Sequence, residues 1–260
     1  DVASLHVTTP WQRLVLLAIV VSALFGACTR RMSRTGNDEV VVLIEAVAQN
    51  FDPRYTSTNN DAKISRLIAP GLTAVDTENL QPRMELAESV TPVDPLTWDV
   101  IVRDDVRFSD GTPVTAEDVA WTYLSVIKKG SDSPYQKNLA ERFSSIEVRG
   151  PRTVRFHLVA PLATFLSDLD FGIVAKHAAL PDDHFANGTP VGAGPYRLGA
   201  HNLQRIELVA NEFASGDMKP RLPRVTIKIV VDAAARALML AGGSADVVLN
   251  GVRLDLLDDV

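Results

Sequence analysis

Arg107-Phe-Ser-Asp-Gly-Thr-Pro-Val-Thr-Ala-Glu-Asp-Val-Ala-Trp-Thr-Tyr123 holds a turn, a helix cap and the start of a packed helix in one uninterrupted run. Asp110-Gly111 supplies a tight turn. Thr115 is placed to cap a helix whose first turn carries Glu117 and Asp118, acidic side chains that favour the positive end of the helix dipole. Val119, Tyr123 and Ile127 repeat at helical spacing with Ala116, Ala120 and Leu124 beside them. Gly130 closes the helix after Lys128-Lys129.

Working outward, residues 97–108 read as a β-hairpin. Trp98, Val100 and Val102 alternate with Asp99 and Arg103, a charged turn follows at Asp104-Asp105, and Val106 and Phe108 form the returning strand. Upstream, Val40-Val-Val-Leu-Ile44 is a short β-branched run of the kind found in strands buried on both faces, with a helix as the alternative for so short a run. It leads through Phe51-Asp-Pro53 into the polar stretch Tyr55-Thr-Ser-Thr-Asn-Asn-Asp61, and then into a helical pattern at Ile64, Leu67, Ile68 and Leu72. A polar loop leaving a buried strand is a usual place for a binding site. Downstream, Thr153–Leu158 alternates as a strand, 161–169 has a helical pattern, and Val191-Gly-Ala-Gly-Pro-Tyr196 is a glycine turn leading to strands at 196–198 and 205–209. A strand at 225–231, a helix at 233–240 ended by Gly242-Gly243, and a strand at 245–249 complete the series. Strands separated by helices and hairpins give a mixed α/β architecture.

The chain has 260 residues, 46% hydrophobic and 22% charged, a globular composition that excludes disordered and collagenous classes. At about 150 residues per domain it forms one large domain or two small ones. Its net charge of −6 supplies no basic footprint for nucleic acid, which is not expected as a partner. The single cysteine, Cys28, excludes an internal disulfide. It ends the apolar run Leu14–Ala27, which Arg13 precedes and the basic stretch with Arg30, Arg31 and Arg34 follows. Residues 1–27 therefore read as a secretory signal, shorter than the roughly 20 apolar residues of a comfortable membrane span, and 28–38 as a flexible tether. Gly26-Ala27 before Cys28 resembles a bacterial lipoprotein signal, which implies lipidation of the Cys28 thiol; Phe25 stands where such signals usually carry leucine. A plain signal with an unmodified Cys28 is the alternative.

No enzyme motif survives inspection. Gly192-Ala-Gly194 lacks the third glycine of a dinucleotide fingerprint and leads to a strand. Nucleophile-elbow, phosphate-loop and His-Glu-x-x-His patterns are missing, and His157, His177, His184 and His201 lack metal-ligand spacing. The adjacent carboxylates Asp104-Asp105, Asp182-Asp183 and Asp258-Asp259 fit solvated turns better than acid–base pairs. The residues alone lead to an exported α/β domain with a polar loop.

Taken together, Ala87-Glu-Ser89, the run from Arg107 to Tyr123, Pro190-Val-Gly-Ala-Gly-Pro-Tyr-Arg-Leu198 and Gly243-Ser-Ala-Asp-Val247 resemble the extracellular solute-binding proteins of family 5, the peptide and nickel class of ABC-importer receptors. The resemblance covers about residues 39–260. It implies a type II periplasmic-binding-protein-like clamp of two lobes that closes on a solute and docks on a membrane permease. Residues 39–260 would be its N-terminal lobe, with an inserted subdomain at about 53–170, ending near the crossover to a second lobe that this sequence does not include. No catalysis, cofactor or metal is implied, and a monomer is expected. By resemblance to peptide-binding members, Ser57, Thr58 and Asn59, with Asn60 beside them, line the cleft, and Tyr135 matches a cleft tyrosine of oligopeptide binders. Ser57 occupies the place where some members carry an acidic residue. A plain loop at 57–60 and subdomain packing for Tyr135 are the competing structural readings. The function implied is capture of oligopeptides or dipeptides outside the cytoplasmic membrane for an ABC permease, with anchoring through lipidated Cys28. A secreted hydrolase and a non-transport lipoprotein acting as an interaction or sensor protein are the alternatives.

Overall fold

The computed structural model describes residues 38–250. In chain order the elements are β1 (Glu39–Ile44), α1 (Asn59–Ile68), β2 (Thr73–Val75), β3 (Pro82–Met84), β4 (Ala87–Asp94), β5 (Thr97–Val102), α2 (Ala116–Ile127), α3 (Gln136–Arg142), β6 (Phe143–Val148), β7 (Thr153–Leu158), α4 (Phe165–Asp168), β8 (Tyr196–His201), β9 (Arg205–Ala210), β10 (Arg224–Ile229), α5 (Ala233–Ala241) and β11 (Val247–Val248). The secretory signal, Cys28 and nearly all of the tether lie outside the described residues. Among the described residues no helix is long and apolar enough to cross a membrane.

Two larger sheets organise the described residues, beside a small antiparallel pair of β2 and β3. The five-stranded sheet has the order β11-β1-β10-β9-β8, with β1 parallel to both β10 and β11. As its β-branched run predicts, β1 is covered on both faces. Ile44 packs with Ile64 and Ile68 of α1, while Val41 and Leu43 pack with Ala245 and Met239 on the other side. The second sheet, β4-β5-β7-β6, is antiparallel throughout. Across it lies α2, which buries Ala116, Val119, Ala120, Tyr123 and Val126. The Tyr123 ring meets Phe143 and Phe156 edge-on at 5.6 and 5.2 Å. Edge-on pairs of this kind contribute about 0.5–1.5 kcal/mol beyond the area they bury. Thr115 caps α2 in a capping box with Asp118, as the opening motif requires.

The hairpin read at 97–108 is paired differently. The partners of β5 are β4, which the sequence reading did not identify as a strand, and β7. Val106 and Phe108 instead enter the core around the 110–112 turn, and Arg107 bridges Pro113. The helical pattern at 161–169 shrinks to the single turn of α4, Phe165–Asp168. Leu72 falls beyond α1, which ends at Ile68, and is buried under the second sheet instead.

Two glycines fix how the chain returns from the second sheet to the first. A Cβ on Gly192 would stand 2.2 Å from the Ile68 carbonyl oxygen, and one on Gly194 would stand 2.4 Å from that of Leu67. The Gly194 N–H donates to the Ile68 carbonyl at 2.8 Å, closing the C-terminal end of α1. A second junction is polar. The Arg103 guanidinium grips Asp105 at 2.8 and 2.6 Å, and the Ser215 hydroxyl donates to the same carboxylate at 3.0 Å.

Two expectations follow. Gly192→Ala should lower unfolding free energy by about 3 kcal/mol, since the new methyl meets backbone, whereas Gly150→Ala, with open space around its Cβ, should shift it by less than about 0.5 kcal/mol; urea titration separates the two. Asp105 titrates at about 2, held down chiefly by its hydrogen bonds with Arg103. A depressed carboxyl contributes its stabilisation above the unfolded value near pH 4 and loses it as pH falls toward 2. Asp105→Asn should therefore flatten that part of the acid branch of a stability profile, and an unchanged slope would remove this junction from the account.

Candidate functional site

Between β1 and α1 the chain runs through a loop that carries most of the polar groups of interest. Its fixed points are two buried carboxylates. Asp61, in the first turn of α1, accepts from the backbone N–H groups of Gln49 at 3.0 Å and Thr58 at 3.2 Å, with longer contacts from Asn50 and Ser57. Thr58 returns the bond, its hydroxyl accepting from the Asp61 N–H at 3.0 Å. A helix N-terminus is where such a carboxylate is best placed.

Asp52 holds Arg54, which is wholly buried. The guanidinium reaches both Asp52 oxygens, at 3.1 Å from Nε to Oδ1 and 2.7 Å from Nη2 to Oδ2. Two further donors go to Ser125 Oγ of α2 at 3.0 Å and to the Asp183 carbonyl at 2.6 Å. Its face lies 4.5 Å from the Trp121 ring and 5.1 Å from that of Phe185. The Arg54 carbonyl in turn accepts from Ser133 Oγ at 2.6 Å. The loop's own Asp52, α2 and the 183–185 segment thus converge on one cation, an arrangement suited to the planar fork of arginine rather than to lysine. The sequence reading missed Arg54, because nothing in the pattern of a polar loop marks one of its charges as interior.

Beside this knot opens a cleft of about 760 Å³ whose walls include Gln49, Asn50, Tyr55, Ser57, Thr58 and His184. Tyr55 and His184 stack at 4.8 Å, and burial pushes the Tyr55 phenol above its ordinary value. A concave, partly polar space of this size is ample for a small solute.

The residues expected to line the cleft are distributed unevenly. Ser57 and Thr58 do line it, although the Thr58 hydroxyl is engaged as the cap of α1. Asn59 is exposed at the first turn of α1 and faces solvent outside the cleft walls. Asn60 turns inward, donating to the Ala46 carbonyl at 3.2 Å. Tyr135 stands apart from the cleft. Its hydroxyl is 2.7 Å from Thr56 Oγ1 and its ring meets Phe171 edge-on at 5.5 Å, in the wall of a second, smaller hollow.

The same chain matches a family model over residues 81–258, described as bacterial extracellular solute-binding proteins, family 5 middle. It belongs to that family. Among similar members, a probable D,D-dipeptide-binding periplasmic protein of Escherichia coli is 29% identical over 90% of this chain and 47% of its own length. An oligopeptide-binding protein of Bacillus subtilis is 30% identical over 88% of this chain and 45% of its own. The chain thus spans about half the length of these curated family members. The crystal structure of NikZ from Campylobacter jejuni with Ni(L-His) aligns with a TM-score of 0.78 at 27% identity, covering 86% of this chain and 45% of that one. The B. subtilis oligopeptide-binding protein with a nonapeptide aligns at 0.74 and 28%, covering 80% and 43%. These are type II periplasmic binding proteins, and the mixed α/β fold described above matches them over a length that fits one lobe.

Removal of the Arg54 side chain tests the knot. Arg54→Ala leaves the Asp52 carboxylate buried without its partner and should cost about 3–5 kcal/mol in urea unfolding, while Asp52→Asn combined with Arg54→Met should recover a large part of that loss. Equal losses in the single and double variants would mean that packing, not charge pairing, holds the loop.

Proposed function

We propose that this chain acts in solute capture for an ABC importer, taking up oligopeptides or dipeptides outside the cytoplasmic membrane and delivering them to a permease. On this reading residues 39–260 form the first lobe of the clamp, with the inserted subdomain at about 53–170, and the protein is exported, works as a monomer and carries out no covalent chemistry. Residues 1–27 direct export, and a lipid on Cys28 tethers the receptor to a membrane.

The observation that carries the proposal is the cleft at the exit of β1. It is rimmed by exposed Ser57 and Thr58 and closed behind by a loop whose charged groups are satisfied internally. Apart from the exposed Asp132, a surface of this kind offers mainly neutral hydrogen-bonding groups. That suits the backbone N–H and C=O groups that every peptide presents, with little dependence on its sequence. The family membership and the peptide-binding names of two similar members support the same solute class.

Titration calorimetry of the full chain with di- and tripeptides, a nickel–histidine chelate and a monosaccharide tests the solute. Saturable heat is expected with peptides; heat with the chelate or the sugar alone would overturn the peptide assignment and leave the family assignment intact. Mass spectrometry of the protein extracted from membranes of its own cells tests the anchor. A diacylglyceryl adduct on Cys28 is expected there, and an unmodified thiol would remove it.

A further inference from the structure

Three carboxylates line the large cleft, Asp52, Asp61 and Asp132, and among the described residues of its wall none is lysine or arginine. Two of the three are engaged within the protein. Asp52 is paired with the buried Arg54, and Asp61 accepts from backbone N–H groups at the start of α1. Asp132 differs from both. Its side chain is 72% exposed, and its one ion pair among the described residues is a long one: Oδ2 lies 4.0 Å from His184 Nε2, which is charged only when protonated. The backbone around it is nonetheless fixed. The Ser133 hydroxyl donates to the Arg54 carbonyl at 2.6 Å and accepts from the Tyr135 N–H at 3.1 Å, while the Ser131 N–H donates to the Lys128 carbonyl at 3.2 Å. The residues on either side of Asp132 are thus pinned to the Arg54 knot and to the end of α2, which holds an exposed carboxylate at the cleft without a permanent counter-ion. Beside it stand the stacked rings of Tyr55 and His184, 4.8 Å apart. Its charge is felt there: burial first, and then Asp52, Asp132 and Asp183, raise the Tyr55 phenol against the lowering effect of Arg54.

We infer that Asp132 is a specificity-determining residue of the cleft, receiving the ammonium or guanidinium of a lysine or arginine side chain in a bound peptide. The inference rests on the peptide-receptor reading above and extends it from backbone capture to selection of side-chain charge. The sign follows from the cleft's own charges. Asp52 is cancelled by Arg54, so Asp61 and Asp132 leave the space negative, and a concave wall concentrates that field on whatever enters. A side chain, rather than the terminal amine of the peptide, follows from the aromatic pair. The methylene stem of lysine or arginine can lie along rings while its charged head stays in water against a carboxylate, a contact that an α-ammonium has no stem to make. Because Asp132 is exposed, the gain is a salt-screened preference and not an absolute requirement.

Lysine and norleucine share a four-carbon stem and differ in the charged end, so the test is a set of alanine-based tripeptides with lysine or norleucine at each position in turn. Binding is measured by calorimetry to the full chain, to Asp132→Asn and to Glu141→Gln, which removes an exposed carboxylate of α3 outside the cleft wall. At low salt one position should show a two- to fivefold preference for lysine, about 0.4–1 kcal/mol. The preference should shrink in about 0.5 M salt, vanish in Asp132→Asn and persist in Glu141→Gln. Asp132→Asn gives up only the long pair with His184 and should keep its thermal midpoint. Equal binding of lysine and norleucine peptides at every position would show that Asp132 reads no charge. A preference that survives in Asp132→Asn would place the selection elsewhere, and a loss in Asp132→Asn that follows acetylation of the peptide amine instead of the lysine end would assign the carboxylate to the terminus. Each of these results overturns the side-chain subsite and leaves the receptor reading standing, whereas no binding of any peptide overturns both.

Discussion

The buried pair of Asp52 and Arg54 is the constraint on which the candidate site depends. A guanidinium removed from water is tolerated only when its donors are nearly all used and its charge is matched. Here that demand draws together the loop after β1, the middle of α2 and the Asp183 turn. Because each of these stretches gives Arg54 something different, a carboxylate, a hydroxyl, a carbonyl or an aromatic face, none can drift without leaving a donor unpaired. The cleft wall is therefore a consequence of satisfying one interior charge. Asp61 performs the companion task at the start of α1, where backbone N–H groups take the place of a counter-ion.

The division between rigid backing and open rim explains what the cleft offers a solute. Groups that could compete for a ligand's charges, Asp52 and Asp61 above all, are already paired with the protein itself. What remains toward solvent is the neutral edge at Ser57 and Thr58, the Tyr55–His184 stack and the exposed Asp132. Glycines 192 and 194 contribute from a distance: by letting the returning chain touch the end of α1, they hold that helix, and with it the rim, against the five-stranded sheet.

How much of this was legible in the sequence follows from how local each feature is. The cap at Thr115, the stripe on α2, the continuous apolar run of β1 and the glycine stop after α5 involve residues within one or two turns of one another, and each was readable. Strand pairing is set by partners far along the chain, so Val106 and Phe108 looked like the return strand of β5 while β4 and β7 took those places. The glycine turn at 192–194 was visible as a turn, but its reason, the carbonyls of α1 lying against it, belongs to the folded state. At the site, the loop at 57–60 was singled out through its polar composition and through likeness to a known family. Neither source could tell that Asn60 faces inward, that Tyr135 sits in a different hollow, or that Arg54 is interior, because burial of a polar side chain is decided by neighbours brought from elsewhere.

The position of β1 has a consequence for the order in which the molecule assembles. The first strand of the described chain is flanked by two of the last three described strands, β10 on one side and β11 on the other, so its backbone groups in this sheet stay unpaired until the chain through β10 and β11 has been made. The four-stranded sheet and α2, by contrast, are built from one contiguous stretch with short connections and close their loops early. Folding would then proceed from the middle outward, with β1 held open as an unfilled slot.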